Sequence, residues 1–269
     1  MLELLSLPPI QRGFLVLLAA GVTFPVTGVF ILRLNLLTMR FMLMHGALLG
    51  GAVALALGWD PLLITVMVNG LLIGAASLSS QRLSLNSGFS TTFFMVFAMA
   101  AAFAVMYKFN VPARDTLELL WGNLFAVSRT DLVITVCFGL LLVLFYFMFQ
   151  GSLNALIFDR DVARTSGVPA DLFTYIIMFL TGFTVAFSLQ LIGALLLDAL
   201  LLLPAIVASF YARSIKGIVL LSMALGGLFS LAGFILGIAL DIPISAGVVM
   251  AATVAFIFAK PLARLLGRT

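Results

Sequence analysis

Charged side chains are scarce in this chain. Asp, Glu, Lys and Arg make up 9% of its 269 residues, while 64% are hydrophobic. A soluble domain is about a quarter charged and about half apolar, and a disordered chain needs more charge still, so both classes are excluded. The one cysteine, Cys137, excludes a disulfide framework and any cysteine-built zinc site. The one histidine, His45, lies in an apolar run, and no nucleophile–base triad surrounds it. No Gly-rich phosphate loop with its lysine is present, so any ATP hydrolysis belongs to another chain. No polar linker is long enough to divide the apolar mass, and residues 1–269 read as one membrane domain. Only Glu3 precedes Arg12, so the first apolar run lacks a basic leader and is read as retained.

Long apolar runs dominate what is present. Mean hydropathy is +1.28, and runs of the ~20 residues needed to cross a bilayer fall at roughly 10–32, 41–58, 61–79, 90–107, 131–150, 171–189, 192–210, 217–238 and 243–259. None alternates apolar with polar residues, which excludes a β-barrel. The expected fold is an all-α integral membrane protein with about nine transmembrane helices. Eight with a re-entrant segment is the alternative, because the seventh run follows the sixth so closely. Net charge is +4 and the pI about 9.6. In a membrane protein such an excess marks cytoplasmic loops rather than nucleic-acid binding. Arg33, Arg40, Arg82, Arg160, Arg164, Arg213, Lys216, Lys260, Arg264 and Arg268 fall on one side, and Arg12, Lys108, Arg114 and Arg129 on the other. The richer side and the C-terminus are expected in the cytoplasm. Residues 108–130 form an outer loop in which Trp121 suits the aromatic belt.

The inner loop, 151–170, carries local structure. Asp159 is a good N-cap, Asp161 suits the first turn, Gly167 is a natural left-handed stop and Pro169 prevents continuation. A helix of about two turns is expected there, and it needs a surface to lie on because it is too short to stand alone. Phe158-Asp159, Ala163-Arg164 and Gly167-Val168-Pro169 resemble the coupling segment of permeases in the ABC transporter family that imports zinc, manganese or iron. Three further blocks follow the same family in order. They are His45-Gly46-Ala47-Leu48-Leu49-Gly50, Leu120 to Ser128 with Asp131-Leu132, and Gly193-Ala194-Leu195-Leu196-Leu197-Asp198 running on to Leu203-Pro204-Ala205. The resemblance spans about residues 12–258.

That resemblance implies a type II importer permease. Two copies would enclose the pathway as a homodimer in a bacterial or archaeal plasma membrane, among membrane lipid. A dimer of cytoplasmic ABC ATPases would bind ATP and dock on residues 158–169, with Phe158, Asp159, Arg160, Ala163, Arg164, Gly167 and Pro169 as the coupling residues. A periplasmic or extracellular metal-binding protein would deliver the ion. No cofactor would stay bound, and the transported divalent ion would be the only metal. Pro204, which frees a backbone carbonyl inside a span, would be a gating kink.

Two polar groups inside the spans are candidate metal contacts. A charge at the bilayer centre costs about 2.5–3.5 kcal/mol on insertion scales, and imidazole and carboxylate both bind zinc, manganese and iron. His45 and Asp198 are therefore expected on the metal pathway. The resemblance calls for an Asp four residues before the histidine, where this chain has Phe41. Asp198 is expected to supply the missing carboxylate by meeting His45 from another helix. In the plainer alternative His45 bonds a backbone carbonyl between packed helices, and Asp198 is protonated and bonded to Ser188 or Gln190. Asp60, Glu118 and Asp241 lie at or beyond the outer ends of spans and are solvated charges or first contacts for a delivered cation. Gly46, Gly50 and Gly51 are expected to let helices approach closely. Competing functions are a permease for a metal chelate such as a siderophore or cobalamin, a proton-coupled secondary transporter using His45 and Asp198 as relay, and an intramembrane enzyme. The last has too few polar residues in the spans.

Overall fold

The computed structural model describes residues 7–111 and 124–265, with side chains through residue 261. All regular elements among them are helices. In chain order they are α1 (Pro8–Thr23), α2 (Pro25–Arg33), α3 (Leu37–Leu57), α4 (Pro61–Arg82), α5 (Ser87–Lys108), a 3-10 turn (Leu124–Ala126), α6 (Arg129–Met148), α7 (Gln150–Phe158), α8 (Arg160–Thr165), α9 (Ala170–Tyr211), α10 (Ile215–Leu240) and α11 (Ile244–Leu265). The chain divides into two compact units. One contains residues 1–34, 123–173 and 195–269; the other contains 35–122 and 174–194.

In the first unit, α1 and α2 form one 26-residue span. Phe24 keeps helical dihedrals between them, and the break reflects Pro25, which has no N–H to give the Gly21 carbonyl. α10 comes in against that exposed carbonyl. A Cβ on Gly226 would overlap the Gly21 oxygen and approach the Pro25 ring, and a Cβ on Gly21 would overlap the Ser230 hydroxyl. Ser230 instead donates to the Leu17 carbonyl at 3.2 Å. Phe14 and Phe234 meet at 4.6 Å between ring centroids, so α10 runs antiparallel to the first span. α6 runs parallel to it. Gly139 packs on Thr23, Phe24 faces Phe138 at 6.5 Å, and Phe30 faces Tyr146 at 6.2 Å.

These directions fix where α9 starts and ends. α9 begins at the Arg33 end of the unit, since Phe173 lies 5.4 Å from Phe149 and 6.4 Å from Phe145. It also finishes there, since Ala205, Ile206 and Ser209 line a pocket with Val29, Leu32 and Arg33. α9 has 42 residues, which would make a straight rod about 63 Å long at 1.5 Å per residue. Such a rod cannot start and end at the same level. The backbone breaks at Gly193, with φ 80° and ψ 165°, a region open almost only to glycine. Among the described residues, eight helices are long and apolar enough to cross a membrane. The broken one leaves and returns to the same end of its unit, so counting its two arms separately gives the expected nine runs.

In the second unit, α3 and α4 pack through glycine. Gly46 has no room for a Cβ beside Asn69, and a Cβ on Gly50 would lie 2.5 Å from the Thr65 Cα. The expected close packing at Gly46 and Gly50 is therefore present. The 174–192 arm of α9 runs antiparallel to α4. Gln81 donates to the Tyr175 hydroxyl at 3.0 Å, Asn69 to the Gly182 carbonyl at 3.3 Å, and Gln190 to the Thr65 hydroxyl at 3.3 Å. α5 lies parallel to α3, with Thr91 donating to Thr38 at 3.0 Å and Ala102 and Met106 packed on Leu48 and Ala52.

Two outcomes follow from this packing. Gly226→Leu should lower unfolding stability in detergent by about 1–3 kcal/mol, the usual range for overpacking; an unchanged melting temperature would remove the glycine contact as a determinant. In a Cys137→Ser background, a cysteine at Leu195 should label from the membrane face opposite to cysteines at Ser166 and Ser214. Labelling of all three from one face would give the eight-span count instead.

Candidate functional site

The loop after the fifth span is built by local hydrogen bonding. α7 extends beyond the span to Phe158, a helix that the sequence reading did not anticipate. Asp159 then takes an extended conformation and caps α8, its Oδ1 accepting from the Asp161 N–H at 2.8 Å and the Val162 N–H at 2.9 Å. The far end closes on Gly167, at φ +80°. The Gly167 N–H donates to the Arg164 carbonyl at 3.1 Å and the Val168 N–H to the Ala163 carbonyl at 3.0 Å, which is the Schellman pattern. Pro169 follows as the stop. Ala163 is fully buried beneath the helix, while Phe158 is 80% and Val162 46% exposed. Two apolar side chains thus project from a capped, polar element.

One residue fixes this element to the next span. Asp171, in the first turn of α9, accepts from Arg160 at 2.5 Å and from Arg164 at 2.8 and 3.1 Å. The Asp171 hydrogen bond and charge push the Arg164 pKa further up, so Arg164 remains cationic. All three side chains are about half exposed, and exposed pairs add little stability. Their effect is orientation, because two turns of helix cannot hold a direction alone. Asp171 was missed in the sequence, although an acid spaced to meet both Arg160 and Arg164 was the available signal.

The intramembrane candidates are placed differently. His45 is half-buried on α3, in the second unit, and its Nδ1 lies 2.8 Å from the Phe41 carbonyl oxygen. A carbonyl only accepts, so Nδ1 carries the proton and, in the neutral ring, Nε2 keeps its lone pair. That tautomer is the one a metal ligand needs. This bond lies within the histidine's own helix, not between packed helices as the plainer alternative has it, and it orients the ring. Phe41 itself is 41% exposed, with the Arg40 guanidinium 4.3 Å above its ring. Asp198 is half-buried on the 194–211 arm, in the first unit. Gln190 donates to Thr65, and the Ser188 hydroxyl is buried without a hydrogen-bond partner. Among the described residues, no three His, Cys, Asp or Glu side chains gather into a metal cluster.

Other marked residues have structural duties. Asp60 caps α4 by accepting from the Leu63 N–H at 2.8 Å. Asp241 ends α10 in the left-handed region at φ 53°. Ser128 and Asp131 cap α6 reciprocally. Trp121 and Glu118 lie outside the described residues. In the Gly193–Ala205 block the non-helical backbone falls at Gly193, upstream of Pro204. The sequence reading stressed Pro204, although a glycine opening the block between two close apolar runs was the stronger cue.

Residues 6–262 match the family described as the ABC 3 transport family. The chain belongs to that family. It is 27% identical over 260 residues to the manganese transport system membrane protein MntC of Halalkalibacterium halodurans, covering 96% of this chain and 88% of that one. It is 27% identical over 251 residues to the manganese import system permease protein ScaB of Streptococcus parasanguinis, covering 92% and 88%. Among solved structures it is similar to PsaBC from Streptococcus pneumoniae in complex with Fab, with a TM-score of 0.84 at 23% identity over 95% of this chain and 92% of that one. A protein described as a metal-chelate type ABC transporter, in an inward-facing conformation, gives 0.76 at 17% identity, covering 93% and 84%. At these identities the structural likeness speaks for the fold. As an ABC 3 transport family member, the chain is a multi-pass permease subunit rather than an enzyme.

The Asp171 clamp yields a direct test. Asp171→Asn should speed amide exchange across residues 160–168 while changing global stability by less than about 0.5 kcal/mol. Unchanged exchange would mean that the caps alone hold the element.

Proposed function

We propose that this ABC 3 transport family permease carries a divalent transition metal ion, manganese foremost, into the cell. It works as a homodimer in the plasma membrane, its C-terminus in the cytoplasm, with a pair of ABC ATPases beneath it and a soluble or lipid-anchored binding protein outside. The two compact units act as one permease domain. The observation that carries this reading is the capped segment 158–169, an element with both ends closed, two apolar residues projecting and a charge clamp to the following span. A short helix so constrained transmits displacement instead of bending. Phe158 and Val162 seat in the ATPase, Asp159, Ala163, Gly167 and Pro169 keep the element rigid, and Arg160 and Arg164 pass its movement through Asp171 to α9. Gly193, with Pro204 further along, is where α9 yields. ATP binding then shifts access by contacts that differ between the outward and inward states.

For the ion, His45 Nε2 and the Asp198 carboxylate are each a protein contact along the path, one in each unit, with water completing the shell at either. Few protein ligands suit a pathway that must release its cargo. An oxygen-rich shell with one imidazole suits manganese, in keeping with the relatives named for that metal. The chelate alternative has the metal-chelate transporter fold in its favour, and it needs neither side chain as a ligand.

The test is ATP-dependent uptake in proteoliposomes containing the permease, its ATPase and its binding protein. Manganese, zinc, ferrous iron and a ferric siderophore are offered separately. Saturable uptake of manganese is expected, and His45→Ala and Asp198→Asn should each reduce it at least about tenfold, the scale of losses at metal-supporting residues. Uptake of the chelate alone would move the protein to the chelate reading, and wild-type manganese uptake in both variants would remove His45 and Asp198 as ligands. Uptake that needs a proton gradient and no ATPase would sink both.

A further inference from the structure

A second site lies in the first unit, at the end of the first span. Here a pocket of about 330 Å³ opens between three helices. Val29, Leu32 and Arg33 of α2, Ala205, Ile206 and Ser209 of α9 and Ile218 of α10 line it; Arg33 and Ser209 are exposed, so they form its rim, and the aliphatic side chains its walls. Arg33 is in the last turn of its helix, where the helix dipole favours a cation. The loop joining the other two helices adds Arg213, with Lys216 in the following turn. Among the described residues none of Arg33, Arg213 and Lys216 pairs with a carboxylate. The sequence supplies no neutralising partner nearby either, because residues 4–59 and 199–240 contain no Asp or Glu.

The pocket therefore combines two solvents. Its walls are aliphatic and belong to helices that cross the membrane, while its rim is cationic, carries a hydroxyl and lies at the helix ends. A free anion would gain the rim and leave the aliphatic walls wet. We propose that this pocket binds an anionic phospholipid of the inner leaflet, the phosphate at Arg33, beside Ser209 whose hydroxyl donates to the Ile206 carbonyl at 2.6 Å, and the first part of an acyl chain against Val29, Leu32, Ile206 and Ile218. Only the leaflet rests on the orientation proposed above. Basic pockets between transmembrane helices on the cytoplasmic side take such headgroups. Because the pocket is walled by both α2 and the 194–211 arm, a lipid there braces the end of that arm against the first span.

Lipid retention tests this independently of transport. The assembled permease–ATPase complex is purified in detergent, exchanged into mixed micelles of phosphatidylglycerol and phosphatidylcholine, and assayed for bound lipid by native mass spectrometry. Wild type is expected to retain phosphatidylglycerol preferentially. Arg33→Gln should weaken that retention about fivefold, the scale of one interfacial basic residue. Ser209→Leu, which narrows the pocket with every charge intact, should weaken it as well, and the melting temperature of each variant checks folding. Equal retention of the two lipids by wild type, or unchanged retention in both folded variants, would overturn the proposal. So would displacement of the lipid by equimolar inorganic phosphate, which would make the site one for a free anion. Loss of the ATPase from Arg33→Gln with lipid retention intact would overturn it too, by assigning the rim to the ATPase.

Discussion

The contact of Gly226 with the Gly21 carbonyl holds the first unit together. Hydrocarbon supplies no hydrophobic drive between helices, so association depends on how closely backbones approach. Pro25 leaves the Gly21 oxygen without its helical donor, and α10 can come onto it only because residue 226 has no Cβ. Gly28 does the same against the Leu201 carbonyl. The first span can therefore touch α6, α10 and the 194–211 arm, and it acts as the post to which the other crossings are referred. In the second unit Gly46 and Gly50 play the equivalent part against α4.

On that frame the chain places two kinds of functional element. The capped segment 158–169 is polar, exposed and made of local hydrogen bonds, so it is legible in sequence. Asp159, Gly167 and Pro169 announce a capped short helix, and the structure has one. What the one-dimensional reading could not supply was its attachment, since Asp171 belongs by pattern to the next span and meets Arg160 and Arg164 only once both helices exist. The pathway candidates are the reverse case. His45 and Asp198 stand out because charge is rare in hydrocarbon, yet the chemistry of His45 rests on a backbone bond to Phe41, whose identity in the sequence suggested only that a carboxylate was missing.

The positions of breaks show the same division. Pro204 is conspicuous because proline removes a hydrogen bond wherever it stands. Gly193 is one of 23 glycines; its place between two close apolar runs marks it as a candidate break, but does not reveal its positive φ within a long helix. Its conformation is imposed by the need for α9 to return to the end from which it started.

Composition and run length by themselves determined that the chain is helical, that it lies in a bilayer, roughly where its spans fall and which loop is capped. These depend on hydropathy over ~20 residues and on hydrogen bonds within a few residues, both readable along one dimension. The tertiary structure decided that α9 breaks at Gly193 and returns, which atoms each packing glycine meets, that Asp171 clamps the 160–165 helix, and that Arg33 overlooks a pocket with aliphatic walls. Each of these joins residues far apart in the chain through distances of a few ångströms, and such proximity exists only after the helices have packed.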